Sequence, residues 1–175
     1  MIKTIAIVVV VLLAAVLIFG ATKPDTFRIQ RRTSIKAPPE KIFALINDFR
    51  SWGAWSPYGK KDPAMKRALS DVANGKGAAY EWEGDKNVGK GRMEITDTSP
   101  PSKVTINLDF VKPFETHNIV EFTLEAAGDA TNVTWAMQGD TPYFAKIIHV
   151  FINMDKMVGK DFEAGLANLK AIGEK

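Results

Sequence analysis

Two ionisable residues interrupt apolar patterns in this sequence, and they are its first candidates for chemistry. Arg31 falls on the inward face of an alternating segment in which Phe27, Ile29 and Ile35 share a side. Asp155 falls near the centre of a helical apolar stripe, between Phe151, Val158 and Phe162. A buried charge without a partner is costly, so such groups pair or shift their pKa. One hypothesis is that Asp155, and with it Arg31, projects into an enclosed space to meet a polar ligand group or the other charge. The favoured reading is the ordinary one, a bulge or a helix rotation that exposes one or both.

Other reactive groups are sparse. The chain has no cysteine, which excludes disulfides, thiol catalysis and thiolate metal sites. It has two histidines, His117 and His149, too few for a multi-histidine metal centre, so no metal is expected. His117 shares a strand face with Glu121 and Glu125, and His149 sits on the outer side of a helix, so both read as solvated. A catalyst holds an acid, base or nucleophile in geometry with a partner, and no such constellation is visible. Catalytic residues therefore cannot be assigned, and a binding protein is favoured over an enzyme. Gly89-Lys90-Gly91 lacks the Walker pattern and lies in a hairpin, and no cofactor is implied. The net charge of +3, from 23 basic and 20 acidic residues, gives no nucleic-acid footprint. The remaining candidates are apolar. Trp55, Tyr80, Trp82, Phe110, Phe122, Trp135 and Phe151, with the deformable Met93, are expected to line a cavity for a hydrophobic small molecule or lipid. Their ordinary role would be core packing.

These residues need a scaffold. From Tyr143 to Ile172 the residues Phe144, Ile148, Phe151, Val158, Phe162, Leu166 and Leu169 recur at steps of three and four. The spacing predicts one long helix of roughly 45 Å, with Lys146, His149, Lys156, Lys160 and Lys170 pointing elsewhere. Its partner is a series of strands. Tyr80 and Trp82 alternate with Glu81 and Glu83, Met93 and Ile95 with Arg92 and Glu94, and Val104, Ile106, Leu108 and Phe110 alternate strictly. Val120, Phe122 and Leu124, then Val133, Trp135 and Met137, repeat the pattern, and Lys66–Ser70 is a weaker candidate. With a first strand over Phe27–Lys36 and a helix opened by Pro38-Pro39-Glu40, the order is strand, short helices, six strands, long helix. The expected class is α+β, a curved antiparallel sheet of about seven strands wrapped on the C-terminal helix.

The first residues are a separate object. Ile5–Phe19 carries no charge, and twelve of its fifteen residues are Ile, Leu, Val or Phe. Extended from Ile2 to Thr22 it makes roughly 31 Å of helix, against a hydrocarbon core of about 30 Å. Membrane insertion would gain on the order of 4–7 kcal/mol. The rival reading, a cleaved signal peptide, lacks a small-x-small site in the Ile-Phe-Gly-Ala run before Thr22. The expected organisation is a single-pass transmembrane anchor over residues 1–22, a linker over 23–26 and a ligand-binding domain over 27–175. Basic residues after the helix favour a cytoplasmic domain, whereas many exported domains are tethered the same way, so the side stays open.

The run Ile35-Lys36-Ala37-Pro38-Pro39-Glu40-Lys41-Ile42-Phe43, followed by Trp52, Trp55, Ser56 and Pro57, resembles the opening of the START-like, or SRPBCC, superfamily. Tyr80-Glu81-Trp82 and the late Asp161-Phe162-Glu163-x-Gly165-Leu166-x-x-Leu169-Lys170 resemble its polyketide cyclase/dehydrase branch. The resemblance covers about Thr26 to Lys175. It implies the Bet v 1-like helix-grip fold, with an apolar cavity between sheet and helix, and it carries no catalytic motif onto particular residues here. The combined reading is a membrane-tethered domain that binds a hydrophobic small molecule or lipid. The alternatives are a cyclase or dehydratase on a polyketide-like substrate, and a chaperone-like interaction module.

Overall fold

The structure is a computed structural model, and it describes residues 1–72 and 74–175. An N-terminal helix α1 (Ile2–Ala21) is followed by strand β1 (Thr26–Ile35), helix α2 (Pro39–Asn47), a 3-10 turn (Phe49–Ser51) and two one-turn helices, α3 (Trp52–Trp55) and α4 (Tyr58–Lys61). Six strands come next: β2 (Lys66–Leu69), β3 (Ala79–Glu83), β4 (Lys90–Ser99), β5 (Lys103–Lys112), β6 (Thr116–Ala127) and β7 (Ala130–Asp140). Helices α5 (Tyr143–Phe151) and α6 (Met154–Gly173) end the chain.

All seven strands form one antiparallel sheet in the order β1-β7-β6-β5-β4-β3-β2. Sequential hairpins build it from β2 to β7, and β1 closes on β7 over ten residue pairs from Thr26–Asp140 to Ile35–Thr131. The inner face presents Ile29, Ile35, Ile95, Val104, Ile106, Val120, Phe122, Leu124, Val133, Trp135 and Met137, all buried. Their alternation in sequence is the pleat of the sheet. α6 lays Phe162, Leu166 and Leu169 on this face, and α2 adds Ile42, Phe43 and Ile46. Gly165 permits the contact, since a Cβ there would fall 2.6 Å from Trp135 Cζ3. The outer face is solvated and carries ion pairs, including Arg32–Glu125 at 2.8 Å and Lys103–Glu121 at 2.6 Å. This is the α+β helix-grip arrangement expected from the sequence.

The C-terminal helix differs from that expectation. It is two helices, broken at Ile152 and Asn153. The Asn153 side chain accepts from the Lys156 N–H and caps α6. Two consequences follow for the predicted stripe. Its second half, from Phe162 onward, is buried on the sheet, whereas Phe144 and Phe151 in α5 are exposed. Asp155 therefore lies in the first turn of a new helix, not in mid-stripe. Lys146, expected to point outward, is only 7% exposed. Its ammonium is paired with the Asp25 carboxylate, which removes the penalty of burying it alone.

α1 contains a long apolar run and is exposed along nearly its whole length. By length and composition it can cross a membrane. Its last turns pack on α5, where a Cβ at Gly20 would sit 3.3 Å from Ile147 Cγ1. The Tyr143 hydroxyl donates to the Leu17 carbonyl at 2.9 Å.

Candidate functional site

The break between α5 and α6 creates a cleft. Ile152 and Asn153 leave the helical path, and a space of about 570 Å³ lies beside them at the foot of α1. Lys23 and Pro24 of the α1–β1 connection form one wall, and Thr26–Ile29 of β1 form the floor. His149–Phe151, Ile152, Asn153 and the first residues of α6 form the other wall. The connection is held by Asp25, whose carbonyl accepts from the Thr141 N–H at 2.6 Å and whose carboxylate pairs with Lys146. The size suits a small organic ligand.

Half of the fourteen lining residues are apolar: Pro24, Phe27, Ile29, Val150, Phe151, Ile152 and Met154. The other half are polar or charged, Thr141, His149 and Asp155 among them. The buried Thr141 hydroxyl has no hydrogen-bond partner among the described residues. His149 is half-buried, and burial first, then the nearby Lys23 charge, pushes its pKa below the usual histidine value. Both causes favour the neutral imidazole. Asp155 stands at the rim, and Arg31 holds it. The Arg31 guanidinium donates to both Asp155 carboxylate oxygens at 3.0 Å, to the Asp155 carbonyl at 3.0 Å and to Glu163 at 2.7 Å. Hydrogen bonding to Arg31 holds the Asp155 carboxyl below its usual range, and the two carboxylates hold the guanidinium firmly protonated.

Of the ten residues proposed from sequence, Phe151 and Asp155 line this cleft, and Arg31 reaches it through Asp155. The rest lie deeper along the sheet. Trp55, Phe122 and Trp135 form a fully packed aromatic cluster, with Phe122 and Trp135 centroids 5.0 Å apart and Trp135 stacked on Phe162 at 4.2 Å. Tyr80 and Met93 pack against its margin. Trp82 and Phe110 belong to a second cluster with Met65 and Val88 at the other end of the sheet. Thr141, His149, Val150 and Ile152 were not among the sequence candidates. They join the site through a helix break and a chain reversal that periodicity does not register.

A second, more polar hollow of about 950 Å³ lies on the outer face of the sheet, bordered by Arg28, Asn107, Asp109, His117 and Gln138. There His117 Nδ1 is 2.7 Å from Asp109 Oδ1, and that hydrogen bond raises its pKa. Among the described residues, no group of three or more His, Cys, Asp or Glu side chains is placed to hold a metal ion.

Residues 26–174 match the family model described as polyketide cyclase / dehydrase and lipid transport. The chain belongs to that family. No protein among curated sequences matches this chain. Solved structures of low identity share the fold of the polyketide cyclase/dehydrase and lipid-transport family seen here. Protein CV1439 from Chromobacterium violaceum superposes with a TM-score of 0.61 at 16% identity, over 87% of this chain and 99% of that one. The Aha1 dimer from Colwellia psychrerythraea gives 0.57 at 20% identity, over 85% and 96%. Ara h 8.0201 gives 0.57 at 11% identity, over 84% and 97%. These likenesses show a shared fold, a curved sheet gripping a C-terminal helix.

Proposed function

We propose that this protein is a membrane-tethered binding protein that takes up a hydrophobic small molecule or lipid in the cleft between β1 and the α5–α6 break. The observation that carries the reading is the make-up of that cleft. Lys23 and Pro24, immediately after α1, form part of its wall, so a ligand leaving the bilayer beside α1 meets the cleft first. The apolar side chains suit an acyl chain or a ring system. Lys23 and His149 supply polar groups for a head group. A tether keeps such a ligand at high effective concentration and exchange short-range. The domain boundaries that fit are an anchor over 1–22, a linker over 23–26 and the binding domain over 27–175.

The test is native mass spectrometry of the full chain, purified from its own host, followed by solvent extraction. A control peptide carrying α1 alone corrects for bulk lipid. One apolar species enriched in the full chain, and displaced by Phe151→Ser, supports the reading. A lipid profile identical to the control removes it.

One observation favours the catalytic half of the family description. His149 is a half-buried imidazole in the wall of the cleft, and burial lowers its pKa, which favours the neutral form a general base requires. A cyclase or dehydratase working mainly by positioning would need little else. Turnover of a polyketide-like substrate that is lost in His149→Gln, with ligand binding retained, would establish it.

A further inference from the structure

Part of the apolar surface of α5 is left uncovered by the described residues. Phe144 is 56% exposed and Phe151 is 73% exposed, while Tyr143 and Ile152 are open to solvent as well. Beside them the β5–β6 connection presents Phe114, 54% exposed, whose ring meets that of Phe144 edge-on with centroids 5.2 Å apart. Monomeric proteins rarely leave a contiguous cluster of large apolar side chains uncovered without an interaction to serve.

Its position identifies the partner. α5 runs alongside the end of α1 in the same direction, because Tyr143 pairs with Leu17 and Ile147 packs on Gly20. Leu17 is four residues before the end of α1 at Ala21, or about 6 Å along the helix at ~1.5 Å per residue. The start of α5 therefore lies about one turn inside the level at which α1 ends. The medium that surrounds Leu17, Ile18 and Phe19 also surrounds Phe144 and Phe114. Interfacial helices sit about 5–10 Å into the headgroup and acyl boundary, and aromatic residues concentrate at that depth. Lys112 and Lys156 flank the cluster in sequence and Lys23 follows α1, and basic residues so placed suit anionic headgroups.

We infer that α5 and the Phe114 loop form a second, non-spanning membrane contact, in which Phe114, Phe144 and Phe151 enter the lipid interface beside α1. The contact rests on the reading that α1 crosses a bilayer. It would hold the cleft against the membrane, since Phe151 and Ile152 belong to both the contact and the cleft wall.

The absence of cysteine allows single labels in the full chain. Nitroxides at Phe114→Cys, Phe144→Cys and Phe151→Cys are measured in phosphatidylcholine/phosphatidylglycerol nanodiscs for collision with oxygen and with a water-soluble nickel chelate. Leu12→Cys reports the middle of α1, and Asp129→Cys reports the far end of the sheet. The oxygen-to-nickel ratio should rise several-fold at 114, 144 and 151 over that at 129. A high ratio at 12 with water-like ratios at 114 and 144 overturns the second contact while the tether stands. A water-like ratio at 12 overturns both. The unsubstituted chain gives an independent readout with a photoactivatable phospholipid, where cross-links in 113–116 and 143–152 support the contact and cross-links confined to 2–21 refute it.

Discussion

The Arg31 guanidinium occupies the space where Gly159 would otherwise carry a side chain. A Cβ at residue 159 would overlap Nη2 and Cζ of Arg31. Arg31 thus lies flat across α6 and reaches Asp155 on one side and Glu163 on the other, four residues to either side of Gly159. One arginine on β1 fixes the first two turns of α6, and with them the wall of the cleft.

Gly159→Ala tests this arrangement because two effects oppose. Glycine to alanine inside a helix would gain about 1 kcal/mol from propensity alone. Forcing a methyl group into an occupied site costs about 1–3 kcal/mol. We expect a net loss, seen as a lower midpoint in thermal unfolding of the full chain in detergent. A variant more stable than the parent would show that Arg31 moves aside freely and does not hold α6.

The Arg31–Asp155 pair makes stability depend on acid in a defined direction. Arg31 lowers the folded-state pKa of Asp155 below the unfolded value of about 3.9. The contribution is therefore complete above that unfolded value and is lost as pH falls through the folded one. Asp155→Asn should be less stable than the parent at neutral pH, and the difference should shrink below about pH 4. The Asp155 side chain is 62% exposed, so solvent weakens the pair. A difference that stays constant from pH 7 to acid would mean the ion pair contributes nothing.

The two histidines should act oppositely near neutrality. His149 has a depressed folded pKa, so its neutral form contributes above the unfolded value of about 6.5, and that contribution declines as pH falls below it. His117 has a raised folded pKa from Asp109, so its contribution is complete below about 6.5 and fades as pH rises through the folded value. Unfolding midpoints of His149→Gln and His117→Gln between pH 5.5 and 8 separate them. The first variant should flatten the acid-side loss, and the second should flatten the alkaline-side loss. Parallel profiles for parent and variants would contradict both assignments.

The sheet was legible because strict alternation leaves little choice. Val104 and Ile106, Val120 and Phe122, and Val133 and Trp135 bury as their spacing demands. The helix break was not legible from periodicity, because Phe144, Ile148 and Phe151 stay in phase with Val158 and Phe162 across it. Its local signals were Asn153, a preferred cap, and Asp155 two residues later, an acid suited to a first turn. A charge interrupting an apolar stripe marked a new helix start as much as a buried group. Arg31 and Asp155 were each singled out as misplaced charges, and they meet. Lys146 was misread because its partner Asp25 lies 121 residues earlier, beyond the reach of any local pattern.

Core and cleft separate in one further comparison. Trp135 is buried among Trp55, Phe122 and Phe162, so Trp135→Ala should cost about 3–5 kcal/mol, the usual range for deleting a large buried ring. Phe151 lines the cleft yet is largely exposed, so Phe151→Ala should leave the unfolding midpoint almost unchanged. Retention of a fluorescent fatty acid should follow the opposite order. Phe151→Ala should release it several-fold faster at unchanged stability, while a conservative Trp135→Phe should retain it. Should Trp135→Phe release the probe and Phe151→Ala hold it, the ligand would sit within the aromatic cluster under α6, and the cleft at the foot of α1 would be only its doorway.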